Sequence, residues 1–191
     1  GTGAILTAPW PVPATIADRY HLQRVLGKGG TAVVFAAIDR RLDRKVAIKV
    51  INAEFVGDKT MRARFLQEAK AVAAIQHASV VQVFDFGELE NGAFYIVMEK
   101  LAGLDLEHLV KRCGPGTPKQ VAHFLREAAS ALDAAHAIKI IHRDIKPGNF
   151  ILVPSSEMFT VQVLDFGLAR WLTVDDELTR AGKIVGTPMY M

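Results

Sequence analysis

The sequence predicts an α+β chain of two lobes, an antiparallel strand-rich one with a single helix followed by a mainly helical one. Two observations carry that expectation. Short β-branched runs, separated by glycine and charged turns, fill most of the first hundred residues. From Leu106 onward, apolar residues recur instead at three- and four-residue spacing.

Composition sets the class before any element is placed. The 191 residues are 50% hydrophobic and 23% charged, the profile of a soluble globular chain with room for a sizeable core. The net charge is only +3, and the one basic cluster, Arg40, Arg41, Arg44 and Lys45, is broken by Leu42 and Asp43. Nucleic acid is therefore not an expected partner. Cys113 is the single cysteine and has no internal partner for a disulfide, which fits a reducing, cytoplasmic setting. No apolar run reaches the roughly 18 residues of a membrane span, and Gly1 to Trp10 lacks the charged start and apolar centre of a signal peptide. A membrane anchor downstream of Met191 is left open.

Residues 1–17, with Pro9, Pro11 and Pro13, read as a linker or tail. Strands are expected at Tyr20 to Leu26, Ala32 to Ile38 and Lys45 to Ile51, the first two separated by Gly27, Gly29 and Gly30 and the last two by Asp39 to Arg44. A helix follows from about Lys59 to Gln76, with Met61, Phe65, Ala69, Val72 and Ile75 along one face. Two more strands fit Val80 to Phe86 and Phe94 to Glu99. A short helix at Leu106 to Arg112 ends at Gly114-Pro115-Gly116. Thr117 then caps a longer helix, with Pro118 at its first position and Gln120 completing a capping box. That helix carries Val121, Phe124, Ala128, Leu132 and Ala135 on one face. Short strands are expected at Phe150 to Val153 and Thr160 to Leu164, and Arg170 to Met191 is polar and irregular.

Chemistry enters at a few positions. The glycine cluster between two strands lets backbone N–H groups approach an anion, although most such hairpins are only turns. A strand rather than a helix follows it, which excludes the dinucleotide fingerprint. Lys49 shares a strand face with Ala47 and Ile51, and Glu68 sits on the apolar stripe of the next helix, between Phe65 and Val72. A buried charge needs a partner, and pairing the two resolves both anomalies; a snorkelling lysine and a boundary glutamate are the bland alternative.

His142-Arg143-Asp144-Ile145-Lys146-Pro147-Gly148-Asn149 follows a helix, and Asp165-Phe166-Gly167 follows a strand. With Val46-Ala47-Ile48-Lys49 and the glycine loop, these residues resemble the protein-kinase signature set in its family order, from about Tyr20 to the last residue. The closest likeness is to bacterial, eukaryotic-like serine/threonine kinases. The resemblance implies a kinase N-lobe over 18–98, then a hinge and partial C-lobe over 99–191, with ATP and Mg²⁺ (or Mn²⁺) in the cleft between the lobes. It implies that Lys49, held by Glu68, contacts the α- and β-phosphates, that Asp165 and Asn149 hold the metal, that Asp144 accepts the substrate hydroxyl proton, and that Lys146 offsets γ-phosphate charge. It further implies a loop of Leu26, Gly27, Lys28, Gly29 and Gly30 over the phosphates. Val34, Ala47 and Ile151 would lie against the adenine, with Met98 as gatekeeper and Glu99 to Leu101 as the hinge. Val72, Val83, His142 and Phe166 match the family's stacked apolar column, where His142 is a packed structural residue. Asp105 is read as a helix cap, with ribose contact as the alternative.

Lys146 resembles serine/threonine rather than tyrosine kinases, and Thr187 in Gly186-Thr187-Pro188 matches the threonine beside the catalytic aspartate. Arg143 and Arg170 would hold a phosphate on Thr173 or Thr179, ordering the activation segment. The implied partner is a protein substrate, with a homodimer through the N-lobe, or trans-autophosphorylation, as a further expectation.

Two departures stand out. Ala32 replaces the third glycine of the loop, which implies a stiffer loop. The chain stops at Pro188-Met189-Tyr190-Met191, before Ala-Pro-Glu and several large-lobe helices. A fragment of poor activity is expected, with the face of Phe124, Ala128 and Leu132 left uncovered and prone to association. Two rival functions remain: a kinase-like module that binds without catalysis, and a small-molecule phosphotransferase. The first keeps every catalytic residue it would have lost, and Lys146 with Gly186-Thr187-Pro188 speaks against the second.

Overall fold

Ala32–Asp39 and Arg44–Ile51 carry β-branched or small apolar side chains at most positions, and both become strands buried on two faces. The computed structural model describes residues 8–10, 12–55, 59–156 and 158–166, the side chains of residues 55, 59–61, 64 and 68 excepted. The chain forms two units: residues up to Ala69 with Val83–Lys100, and Lys70–Gln82 with the residues from Leu101 on.

In the first unit, β1 (Thr15–Ile16), β2 (Tyr20–Lys28), β3 (Ala32–Asp39), β4 (Arg44–Ile51), β5 (Val83–Glu88) and β6 (Phe94–Glu99) make one antiparallel sheet. Its order is β1-β2-β3-β4-β6-β5. One face packs Val33, Phe35, Val46, Ile48, Val50 and Val97 into the core. The period of two along β4 sends Ala47, Lys49 and Ile51 to the other face. Helix α1 (Lys59–Ala73) meets the sheet through Phe65 and Phe94, whose rings lie 4.7 Å apart. The helix stops short of Gln76 because its end tightens, the Ile75 N–H donating to the Val72 carbonyl at 3.0 Å.

Two segments depart from expectation. Within the stretch read as a tail, Thr15–Ile16 pairs with β2, Ile16 is fully buried, and Ala8, Trp10 and Val12 pack against the core. Few charges and a β-branched pair suit an edge strand there better than a solvated arm. The strand expected from Val80 begins instead at Val83. Val80 and Val81 are used elsewhere: the Val81 N–H donates to Val163 O at 3.1 Å and the Val163 N–H to Ser79 O at 2.9 Å, an isolated parallel bridge inside the second unit.

The second unit holds α2 (Leu106–Cys113), α3 (Pro118–Ala137) and a three-stranded antiparallel sheet. That sheet is β7 (Leu104–Asp105), β8 (Phe150–Pro154) and β9 (Phe159–Val163), in that order. The Gln120 N–H donates to Thr117 Oγ1 and the Thr117 N–H to Gln120 Oε1, the reciprocal cap expected at α3. Gly103 is required, since a Cβ there would lie 2.3 Å from the Leu152 carbonyl oxygen. The face of α3 expected to lie uncovered is packed: Ala128 is buried, and Phe124 and Leu132 sit against Phe150, Val161, Val163 and Phe166. Val121, expected on that same face, and the neighbouring Leu125 stay exposed. Among the described residues no helix is long and apolar enough to cross a membrane.

Candidate active site

Each unit carries one set of the candidate residues. In the first, the Gly29 N–H donates to the Ala32 carbonyl at 2.8 Å, closing the β2–β3 hairpin. Gly27 pairs with Val34 after a bulge at Val25. A Cβ built at Gly27 or Gly30 meets nothing within 4 Å, and neither has a positive φ. Neither backbone conformation nor packing therefore demands a glycine at these two positions. Their small size serves close approach by something outside the chain.

Behind the hairpin, Lys49 is 8% exposed and in register with Val34 on one side and Ile96 on the other. Lys49 is not without a partner within the protein. Ala47 is buried and faces Met98 across the β4–β6 ladder, with Val46 opposite the exposed Glu99. Leu26 is 40% exposed at the hairpin. Glu68 lies on α1, but its side chain is outside the described residues, so its pairing with Lys49 stays an expectation.

In the second unit the loop between α3 and β8 gathers Asp144, Lys146 and Asn149. Lys146 Nζ lies 2.6 Å from Asp144 Oδ2, and Asn149 Nδ2 donates to the same oxygen at 3.1 Å and to the Asp144 carbonyl at 2.7 Å. Two donors thus fix the carboxylate from one side. The loop is tied to the end of β9 twice, by the Leu164 N–H donating to Asn149 O at 2.9 Å and by His142 Nε2 donating to Leu164 O at 2.7 Å. Asp165, next in the chain, is thereby placed beside Asn149.

His142 is 1% exposed and packs on Phe166, ring centroids 4.8 Å apart. Its Nδ1 accepts the Asp144 N–H at 3.3 Å, which leaves the proton on Nε2. Burial pushes its pKa down, so the ring is a neutral packing residue. Arg143 and Asp165 have φ of 66° and 59°, left-handed backbone that costs about 1–3 kcal/mol each unless the surroundings impose it. The ties at His142, Asn149 and Leu164 are those surroundings.

The donor set suits a hard divalent cation. With Nδ2 committed to Asp144, the Asn149 Oδ1 is left as an acceptor, and Asp165 adds anionic oxygen. Among the described residues no three His, Cys, Asp or Glu side chains cluster as a metal cage. A cation here would take its remaining oxygens from outside the protein, as Mg²⁺ does from phosphates.

Other candidates are placed individually. Asp105 caps α2, accepting the His108 N–H at 2.9 Å, and Ile151 is half-buried on β8. Arg143 is exposed. Val72 and Phe166 belong to one apolar cluster, while Val83 starts β5. Gly167, Arg170, Thr173, Thr179 and Thr187 lie outside the described residues. Sequence reasoning missed Asp39, which is fully buried and takes a two-pronged hydrogen bond from Arg19, 2.8 Å from Nε and 2.7 Å from Nη2. Its position at the end of an apolar strand was the available signal.

Comparison with known proteins adds to this geometry. The protein kinase domain model matches residues 20–191. Over 184 residues the chain is 40% identical to the serine/threonine-protein kinase pkn3 of Myxococcus xanthus, covering 94% of this chain and 34% of that protein. It is 39% identical over 183 residues to the serine/threonine-protein kinase PknB of Mycobacterium tuberculosis, covering 94% and 29%. The chain thus spans about a third or less of the length of these curated relatives. The crystal structure of the Mycobacterium tuberculosis PknI kinase domain superposes with a TM-score of 0.71 at 27% identity, covering 92% of this chain and 71% of that one.

Proposed function

The chain belongs to the protein kinase domain family, and from that premise we propose that it transfers the γ-phosphoryl group of ATP to serine or threonine hydroxyls of a protein substrate. The observation that carries the reading is the Asp144–Lys146–Asn149 cluster, tied through Leu164 to Asp165. Phosphoryl transfer asks a protein mainly to position groups and neutralise charge, and this cluster is built for both.

Asp144 orients the attacking hydroxyl and takes its proton as the new P–O bond forms and the bond to ADP breaks. Lys146, held against the same carboxylate, offsets charge on the transferring group. A Mg²⁺ ion, when bound, neutralises phosphate charge, and Asn149 and Asp165 are the residues that would hold it. Lys49 steadies the α- and β-phosphates beneath the open glycines at 27 and 30. Exposure of Arg143 is compatible with holding a phosphorylated Thr173 or Thr179.

The test is mass spectrometry of a serine/threonine peptide library after incubation with Mg-ATP and the chain, beside an Asp144→Ala control. Phosphate on peptide, lowered about 10²–10⁴-fold in the control, supports the reading. Saturable ATP binding with no transfer by either protein points to a nucleotide-binding module instead. Transfer to small alcohols but not to peptides would overturn the protein substrate.

A further inference from the structure

Helix α1 opens on charges that do nothing for it as a helix. Its first turn holds Lys59 and Arg62 and no acidic residue, and cations there oppose the positive end of the helix dipole. Arg62 is answered from outside the helix. Its Nη1 lies 2.6 Å from Glu88 Oε1 on β5, in a pair whose side chains are 36% and 35% exposed. Nη2 of the same guanidinium rests on the β5–β6 turn, where a Cβ built at Gly92 would lie 3.0 Å from it. That turn is closed on itself, the Gly92 N–H donating to Leu89 O at 2.8 Å and the Leu89 N–H to Ala93 O at 2.7 Å.

Three residues on, Phe65 seats its ring on Phe94. Glu88 and Phe94 stand directly opposite each other in the β5–β6 ladder. Opposed residues share a sheet face about 4.5–5.5 Å apart, and helix residues at i and i+3 lie about 5–6 Å apart. The matched spacings let Arg62 and Phe65 engage Glu88 and Phe94 together. A single seat would leave the helix free to pivot about Phe65, whereas two fix its rotation and its height on the sheet. Among the described residues of α1, only Phe65 and Ala69 are buried, so the second seat is not redundant.

The same sheet face continues to Lys49. Ile51 is opposite Phe94 and Lys49 is opposite Ile96, which sets Lys49 two residues along from the seat of Phe65. Glu68 follows Phe65 by three residues in α1. We propose that Arg62 is a positioning residue for phosphotransfer, its seat on Glu88 and Gly92 setting the register of α1 from which Glu68 reaches Lys49; this rests on the phosphotransfer reading above. An exposed ion pair contributes little to overall stability, so its effect lies in where α1 sits.

The experiment compares Arg62→Glu, Glu88→Arg and the double swap, with Arg62→Gln as the milder change. It reads hydrogen exchange of the α1 amides, Tm, and kcat/KM for ATP with a serine/threonine peptide. Each single reversal should speed α1 exchange and lower kcat/KM about 2–10-fold with Tm nearly unchanged, and the double swap should restore both. Arg62→Gln should fall between. In a Glu68→Gln background, Arg62→Glu should lower kcat/KM no further, because its effect passes through Glu68. Unchanged exchange in both single variants, no recovery in the swap, or full additivity with Glu68→Gln overturns the proposal. Exchange that responds while kcat/KM does not overturns the positioning role. Absence of phosphotransfer by the parent chain overturns the reading beneath the proposal, and the exchange pattern then still decides whether the pair holds α1.

Discussion

His142 donates its Nε2–H to the carbonyl of Leu164 at 2.7 Å, one of two bonds that join the Asp144 loop to the strand end that presents Asp165. Leu164 returns the tie through its own N–H to Asn149. The histidine therefore acts through backbone position, and its charge state decides whether the position holds.

Because burial depresses the His142 pKa, the unfolded chain binds the proton more readily than the folded one. The associated stability is fully present above the ordinary value of 6.5 and is lost as pH falls from there towards the depressed folded value. Urea midpoints should be level above pH 7 and fall progressively as pH drops below 6.5. His142→Phe should flatten that fall while lowering stability by about 1–3 kcal/mol, since the Leu164 carbonyl loses its partner. An unchanged slope in the variant would assign the pH dependence to another group.

Gly27→Ala and Gly30→Ala should leave the fold unharmed or stabilise it by about 0.5 kcal/mol, because each new methyl meets open space at a compatible φ. The KM for ATP should nonetheless rise several-fold in both. Gly103→Ala is the contrast: its methyl would strike the Leu152 carbonyl, and overpacking of about 1–3 kcal/mol or more should show as a lowered Tm. Calorimetric melts with initial-rate kinetics on all three variants separate the two kinds of glycine.

Asn149→Ala should remove the amide oxygen proposed to hold Mg²⁺ together with the hydrogen bonds that hold Asp144. The concentration of Mg²⁺ giving half-maximal rate should rise, with kcat falling about 10–100-fold, as for loss of a group that orients a metal site. A fall in kcat with an unchanged Mg²⁺ requirement would leave Asn149 only its bonds to Asp144.

The hydrogen bond from Arg19 holds the Asp39 carboxyl down at about 2, against an ordinary 3.8. The stability this contributes is present above pH 4 and is lost as pH falls through 2. Asp39→Asn keeps the shape but gives up the charge-assisted pair, and should cost about 2 kcal/mol at pH 7. An acid titration followed by circular dichroism should show a shallower acid limb in the variant.

The strands and caps were readable because their determinants are local. Thr117, Pro118 and Gln120 announce a capping box within four residues, and the alternation along Lys45 to Ile51 places Lys49 on the face opposite Val46, Ile48 and Val50. Asp144, Lys146 and Asn149 could be chosen because they stand in one short motif. What was not readable depends on partners distant in sequence. Val80 and Val81 look like the start of β5 until Val163 is known to claim them. Trp10 and Ile16 look like a tail until the sheet core they join is assembled. The left-handed backbone at Arg143 and Asp165 has no glycine to announce it, since the network around His142 imposes it. The uncovered face of α3 was misjudged because Phe150, Val161 and Val163, which cover it, follow later in the chain.

The interleaving of the two units bears on how the chain is made. Lys70–Gln82 is synthesised before Val83–Lys100, yet it belongs with residues from Leu101 on. Ile75 and Val80 leave the ribosome well ahead of Ala131, Phe150 and Val161, the side chains that bury them. At about 5–20 residues per second, that apolar pair waits several seconds for its core. Strand β5 likewise emerges before β6, its neighbour in the sheet. Neither unit can be completed and released before the other has begun, so a nascent chain halted near Lys100 holds a nearly finished sheet joined to a stretch whose own core does not yet exist.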